Sequence, residues 1–166
     1  NPDVACVLLP TDAQESQSTT QNGWTKVATL VEEGARVHSQ RPFISDINRF
    51  EANPAQLALA FFGGITRVID IEHDGRIIHE SREHQARVWK TVPMDAATYM
   101  SCADDGLVKT WDIRQAHSTR TYAGHPGRVS ALALLNNHMF VAASCPQDPV
   151  KSKKCCKFPL IRPINL

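Results

Sequence analysis

Tyr99–Arg114 reads Tyr-Met-Ser-Cys-Ala-Asp-Asp-Gly-Leu-Val-Lys-Thr-Trp-Asp-Ile-Arg, and the fold is decided there. Tyr99–Ala103 is short and partly apolar, Asp105-Gly106 is a tight-turn dipeptide, and Leu107–Ile113 alternates between apolar and polar residues. Two short strands around an Asp-Gly step predict a β-hairpin. Gly106 supplies the positive φ that such a turn needs, at no steric cost. The hairpin ends on Trp111-Asp112, and a Gly-His pair, Gly124-His125, follows downstream.

Outward from the hairpin a period emerges. Ile44–His84, Gln85–His125 and Pro126–Leu166 are each 41 residues long, and the first two end on His. Each opens on a strand-like stretch: Ile44–Phe50, Arg87–Val92 and Val129–Leu135. A second apolar strand follows at Leu57–Phe62, Tyr99–Ala103 and Met139–Ser144. The first two segments add a third, Ile65–Ile71 and Leu107–Ile113, and a fourth, Arg76–His79 and Ser118–Tyr122. Phe62-Gly63-Gly64 and His73-Asp74-Gly75 supply tight turns. Strand-turn-strand units without an amphipathic helix predict an all-β fold. Repetition at a fixed period favours a propeller over a sandwich.

Ser101, Asp105-Gly106, Trp111-Asp112 and Gly124-His125 together resemble the WD40 repeat, with its Gly-His…Trp-Asp signature. The resemblance covers roughly residues 44–144 and is most specific over 85–144. It implies part of a WD40 β-propeller built of four-stranded antiparallel units. Residues 1–43 are read as edge strands of a preceding blade with a polar loop at 11–22, and 44–84 as a divergent blade. Residues 85–125 form the best-matching blade, and 126–166 an incomplete one with a basic tail. Three repeats are too few for a ring, since propellers have about four to eight blades. The rest of the protein or another chain is expected to complete it.

The repeats decay away from the middle. Ile69 stands where the second repeat has Trp111, and Gly63-Gly64 stands in place of Asp-Gly. In the third, Cys145-Pro146-Gln147-Asp148-Pro149 replaces the turn and no Trp-Asp follows. Its tail is either a divergent third strand behind a longer loop or a foreign end.

In WD40 blades a His, a Ser, an Asp and a Trp are hydrogen-bonded in series. The resemblance assigns those places to His84 (with His79 as the alternative), Ser101, Asp105 and Trp111. Their role is structural: an acid among apolar strands is tolerated when it accepts from amides and an imidazole. Ser101 sits mid-strand with no Gly-x-Ser-x-Gly elbow, so a hydrolase triad is not the reading. Nucleotide-binding glycine motifs and His-Glu-x-x-His are absent from the sequence. The acid pair Glu32-Glu33 reads as a solvated edge, and Asp104-Asp105 as one exposed acid beside the turn Asp. The chain is therefore expected to be a non-enzymatic interaction scaffold, with proteins or peptides as partners and without cofactor or small-molecule substrate.

Arg87 and Arg128 stand three residues after His84 and His125, where WD40 proteins often contact partners. Trp111-Asp112-Ile113-Arg114 resembles the box of cullin-4 ubiquitin-ligase substrate receptors, although Tyr99, Cys102 and Thr110 depart from it. That adds Arg114 as a partner-binding candidate. Gly23-Trp24…Val27-Ala28-Thr29-Leu30 is similar to the regulatory WD40 subunit of vesicle-trafficking lipid kinases. The alternative function is thus a targeting or regulatory domain of a larger enzyme or complex.

Composition bounds these readings. Hydrophobic residues make up 42% and charged residues 21%, the balance of a globular chain. A net charge of +1 gives no bulk reason for nucleic-acid or membrane binding. Lys151–Lys157 carries four lysines without interleaved aromatics, a solvated tail rather than a base-stacking one. Asn1–Pro10 lacks the charged and apolar regions of a signal peptide. Cys6, Cys102, Cys145, Cys155 and Cys156 are odd in number and irregular in spacing, which fits reduced thiols in an intracellular protein, cytoplasmic or nuclear. Adjacent Cys155-Cys156 do not give zinc-ligand spacing with Cys145 or His138, so no metal site is assigned.

Overall fold

A computed structural model describes residues 5–10, 20–21, 24–30, 43–136, 139–146 and 162–165, with side-chain packing defined in 43–136 and 139–145. Among the described residues every regular element is a strand, and the strands form antiparallel sheets that follow one another along the chain. The first holds β1 (Ala5–Pro10), β2 (Thr20–Gln21) and β3 (Trp24–Leu30) in the order β1-β3-β2. The second is a four-stranded meander of β4 (Ile44–Arg49), β5 (Gln56–Phe61), β6 (Thr66–Asp70) and β7 (Arg76–Ser81). The third repeats it with β8 (Val88–Pro93), β9 (Thr98–Ala103), β10 (Val108–Asp112) and β11 (Arg120–Tyr122). The fourth pairs β12 (Gly127–Asn136), β13 (Met139–Pro146) and β14 (Arg162–Asn165). The strand ending at Trp111-Asp112 is third in its sheet, the place a WD40 blade gives it.

Side chains on alternate sides of the inner strands explain the stacking. In β5, Leu57, Leu59 and Phe61 pack with Ile65 and Ile69 on one face. The small Ala58 and Ala60 on the other face admit the next sheet closely: Ala58 meets Tyr99 and Trp111, and Ala60 meets Val88 and Ala103. In β9, Met100 and Cys102 turn the opposite way, onto Val129, Leu132, Phe140 and Ala142 of the fourth sheet. The third sheet is therefore apolar on both faces, as a blade between two neighbours must be.

Polar clips join the second and third sheets along their facing strands. The Thr91 amide donates to Asp46 at 2.9 Å, and Asn48 donates to the Thr91 carbonyl at 2.7 Å. The Ser45 hydroxyl donates to the Val88 carbonyl. A turn glycine also stands at this boundary and at the next, between the third and fourth sheets. Gly64 and Gly106 have φ of 79° and 78°, and each presses on the loop that enters the following sheet. An added Cβ would lie 2.3 Å from the His84 carbonyl oxygen at Gly64, and 3.2 Å from that of Gly127 at Gly106.

Strand limits differ from the sequence expectation by a residue or two at most ends. The end of the chain is more informative: Arg162–Asn165 pairs with Ala142–Met139, a third strand behind a long connection. The polar stretch 11–22 lies outside the described residues except for Thr20 and Gln21, which pair with β3. The acid pair Glu32-Glu33 and the basic run Lys151–Lys157 also lie outside them.

Candidate functional site

Four side chains, from the loop before β8 and from the β9–β10 hairpin, meet between the second and third sheets. Trp111 Nε1 donates to Ser101 Oγ at 2.7 Å, and Ser101 Oγ lies 2.8 Å from His84 Nε2. His84 Nδ1 lies 2.8 Å from Asp105 Oδ2. One proton arrangement satisfies the series: Trp111 donates to Ser101, Ser101 to His84, and His84 through Nδ1–H to Asp105. The Gln85 amide adds a bond to Asp105 Oδ2 at 3.2 Å and the Leu107 amide one to Oδ1 at 3.0 Å. Burial works to raise the Asp105 carboxyl, but the His84 hydrogen bond and the two amides outweigh it and hold it below the usual carboxylate range. The loop before β8 is thereby tied to the turn between β9 and β10.

The atoms run in the order of a hydrolase triad, but in a different setting. Ser101 and the His84 side chain have no exposure, and the lone pair of Ser101 faces the Trp111 N–H. A nucleophile needs an approach for substrate and a place for the oxyanion. Asp105→Ala would strand His84 Nδ1–H and two amides; a loss of about 1–3 kcal/mol is expected for such unsatisfied donors, read by urea denaturation.

His79 stands apart from this series. Its Nδ1 lies 3.1 Å from the Tyr99 hydroxyl and its Nε2 lies 3.0 Å from the Gln115 carbonyl. The Tyr99 hydroxyl also contacts Thr66 Oγ1 at 2.8 Å. This second buried chain joins β6 and β7 to β9, and the sequence reading missed it. A Tyr beside the repeat Ser, with His and Thr in the preceding repeat, was the available signal. Burial lowers the His79 pKa, against the Gln115 carbonyl and the charges of Asp112, Glu80 and Glu83.

Glu83 anchors the outer end of the same loop. It accepts from Ser118 Oγ at 2.7 Å, the Ser118 amide at 3.1 Å, Lys109 Nζ at 3.1 Å and His117 Nδ1 at 3.1 Å. Burial alone would raise its carboxyl; the Ser118, Lys109 and His117 bonds bring it down to about 2. Groups whose pKa is depressed in the fold stabilise it above their unfolded values, and that stability is lost as pH falls through the folded values. His79 withdraws support first, below its unfolded value of 6.5; Asp105 and Glu83 follow below 3.8 and 4.5. The melting temperature is expected to be level above pH 7, to decline gently towards pH 5 and to fall steeply between pH 4.5 and 2, as seen by circular dichroism.

The three arginines fall in different settings. Arg87 is half-buried at the start of β8, with Cζ 3.7 Å from the Phe62 ring centre and 4.8 Å from that of Trp89. Arg128 is half-buried at the matching place in β12. Arg114 is exposed, but its fork closes on Asp112, with Nε and Nη2 at 2.8 and 2.6 Å from the two carboxylate oxygens. Asp104, read from sequence as an exposed acid, instead accepts the Trp89 indole N–H at 2.5 Å. Cys102 is a buried free thiol, and among the described residues no His, Cys, Asp and Glu cluster is arranged for a metal ion.

Stacked four-stranded meanders, with the Trp-Asp strand third and a His-Ser-Asp-Trp series between sheets, define part of a WD40 β-propeller. The WD40 β-propeller domain of Doa1 superposes with a TM-score of 0.58 at 22% identity, over 75% of this chain and 38% of that one. A chain of the mitotic checkpoint complex superposes with a TM-score of 0.61 at 19% identity, over 73% of this chain and 36% of its own length. The chain thus spans well under half of either structure. No protein-family model matches the sequence. No curated protein matches it either.

Proposed function

We propose that the chain is a non-enzymatic protein-interaction scaffold of the WD40 type, intracellular, that works with its ring completed by further blades. The observation that carries this reading is the burial of Ser101 and His84 beneath Trp111, with Asp105 half-buried at the end of the series: groups able to do acyl chemistry serve to hold a loop. Arg87 and Arg128 then stand at the start of consecutive blades as partner contacts, on loops fixed from below. Arg114 is a weaker candidate, because binding through it requires its fork to leave Asp112.

The experiment is affinity capture with the full-length protein, parent against Arg87→Ala/Arg128→Ala, with bound proteins identified by mass spectrometry. Partners retained by the parent and lost by the double variant are expected. Identical capture by both would remove these arginines from the reading. Turnover of a generic ester or nucleotide that vanishes in Ser101→Ala would overturn the non-enzymatic assignment.

A further inference from the structure

Arg87 belongs to a small aromatic cluster at the end of β5 and the start of β8. Phe62 leans on Phe43 at 5.7 Å and on Trp89 at 6.4 Å between ring centres. The Phe62 amide donates to the Phe43 carbonyl at 3.0 Å, and Asp104 holds the Trp89 indole, so the rings are fixed from both sides. Phe43 is 57% exposed, an unusual place for a large apolar ring.

Aromatic rings around a cation form the arrangement in which proteins hold a guest ammonium. Here the chain's own guanidinium already occupies the ring faces. A cationic guest would have to expel Arg87 and meet its charge. Among the described residues Arg87 pairs with no carboxylate, and its buried Nε has no hydrogen-bond partner. A guanidinium stacked on rings keeps its N–H edge for a planar acceptor, and the rings fix it in advance. The acid already present, Asp104, lies on the indole beside it and disfavours a doubly charged phosphate more than a singly charged carboxylate.

We propose that Phe43, Phe62, Arg87 and Trp89 form a docking surface for a linear segment of a partner protein that presents an Asp or Glu next to a large apolar residue. The carboxylate takes the N–H edge of Arg87, and the apolar side chain covers Phe43 and Phe62. The proposal rests on the scaffold reading and names the chemistry of its partner.

The test is an NMR titration of the full-length protein, following the indole N–H of Trp89, assigned by Trp89→Phe. The probes are short Gly-Ser peptides carrying Glu-Leu, Gln-Leu, phosphoserine-Leu or trimethyllysine-Leu. The Glu-Leu peptide is expected to shift the resonance and to bind about tenfold or more tightly than Gln-Leu, the difference a charge-assisted bond makes. Arg87→Lys, which keeps the charge and loses the fork, is expected to lose most of that preference. Equal binding of Glu-Leu and Gln-Leu, preference for phosphoserine, or binding of trimethyllysine by the parent would each overturn the inference. Those comparisons need no variant to fold. If affinity capture depends on Arg87 but the peptides show no preference for Glu, the scaffold reading stands and the acidic-segment inference falls. If the Glu-Leu peptide binds and capture yields no partner, the inference stands and the scaffold reading falls.

Discussion

Trp111→Ala is expected to remove about 3–5 kcal/mol of stability, the range for truncating a fully buried aromatic residue. Trp111 has no exposure and stacks on Tyr99, with ring centres 6.1 Å apart and ring planes tilted by 21°. Its neighbours across the sheet boundary are Phe50, Ala58 and Val68, so the cavity would open between two blades. Ser101 Oγ would also lose its donor, and with it the end of the series through His84. Trp111→Phe retains most of the volume and should cost less, chiefly the lost N–H, about 1–3 kcal/mol. Urea denaturation of the variants measures both. A Trp111→Ala protein that unfolds at the parent's midpoint would remove Trp111 from the core of this account.

Gly64→Ala should be nearly as severe, at about 3 kcal/mol or more. A positive φ of 79° is strained for any L side chain, and the new Cβ would lie 2.3 Å from the His84 carbonyl oxygen and 3.2 Å from that of Ala86. Both obstacles are backbone, so the loop itself must move. That motion takes His84 away from Ser101 and Asp105. Gly106→Ala carries the same strain, but its nearest obstacle is 3.2 Å away, and a smaller loss is expected. Equal losses at the two glycines would show that the contact with the His84 loop is not what makes Gly64 special.

The sequence was most legible where one repeat contains its own partners. Ser101, Asp105 and Trp111 lie on one hairpin, and His84 is the residue immediately before that repeat, so the WD40 resemblance could assign all four places. Bonds between repeats left no such trace. Thr91 and Asp46 are joined across two sheets, as are Tyr99 and His79, and nothing in a single repeat's spacing announces either pair. In the first repeat the polar series is replaced by packing: Ile69 lies among Leu57, Leu59 and Phe61, apolar where its counterpart hydrogen-bonds. Periodicity therefore located the blade while the signature weakened. β14 stayed one of two readings of the tail because the long connection hides its register, and Arg162-Pro163-Ile164-Asn165 has too few alternating residues to mark a strand. The setting of Arg87 was also beyond sequence, since Phe62 comes from the preceding repeat and Phe43 from just before it.

A blade buries both faces only between neighbours. On β12, Leu132 packs inward, whereas Ala131, Ala133 and Leu135 are exposed, Leu135 at 54%. Val141 and Ala143 stand opposite Ala133 and Ala131 in the register, extending that apolar face across β13. Monomers tolerate contiguous apolar patches of no more than a few hundred Å². Analytical ultracentrifugation of the purified polypeptide 1–166 tests whether these sheets are blades of an unclosed ring. Self-associated species are predicted, shifting towards smaller ones on dilution. A monodisperse monomer that melts in one cooperative transition would mean the sheets close on themselves, and would contradict the open-propeller account.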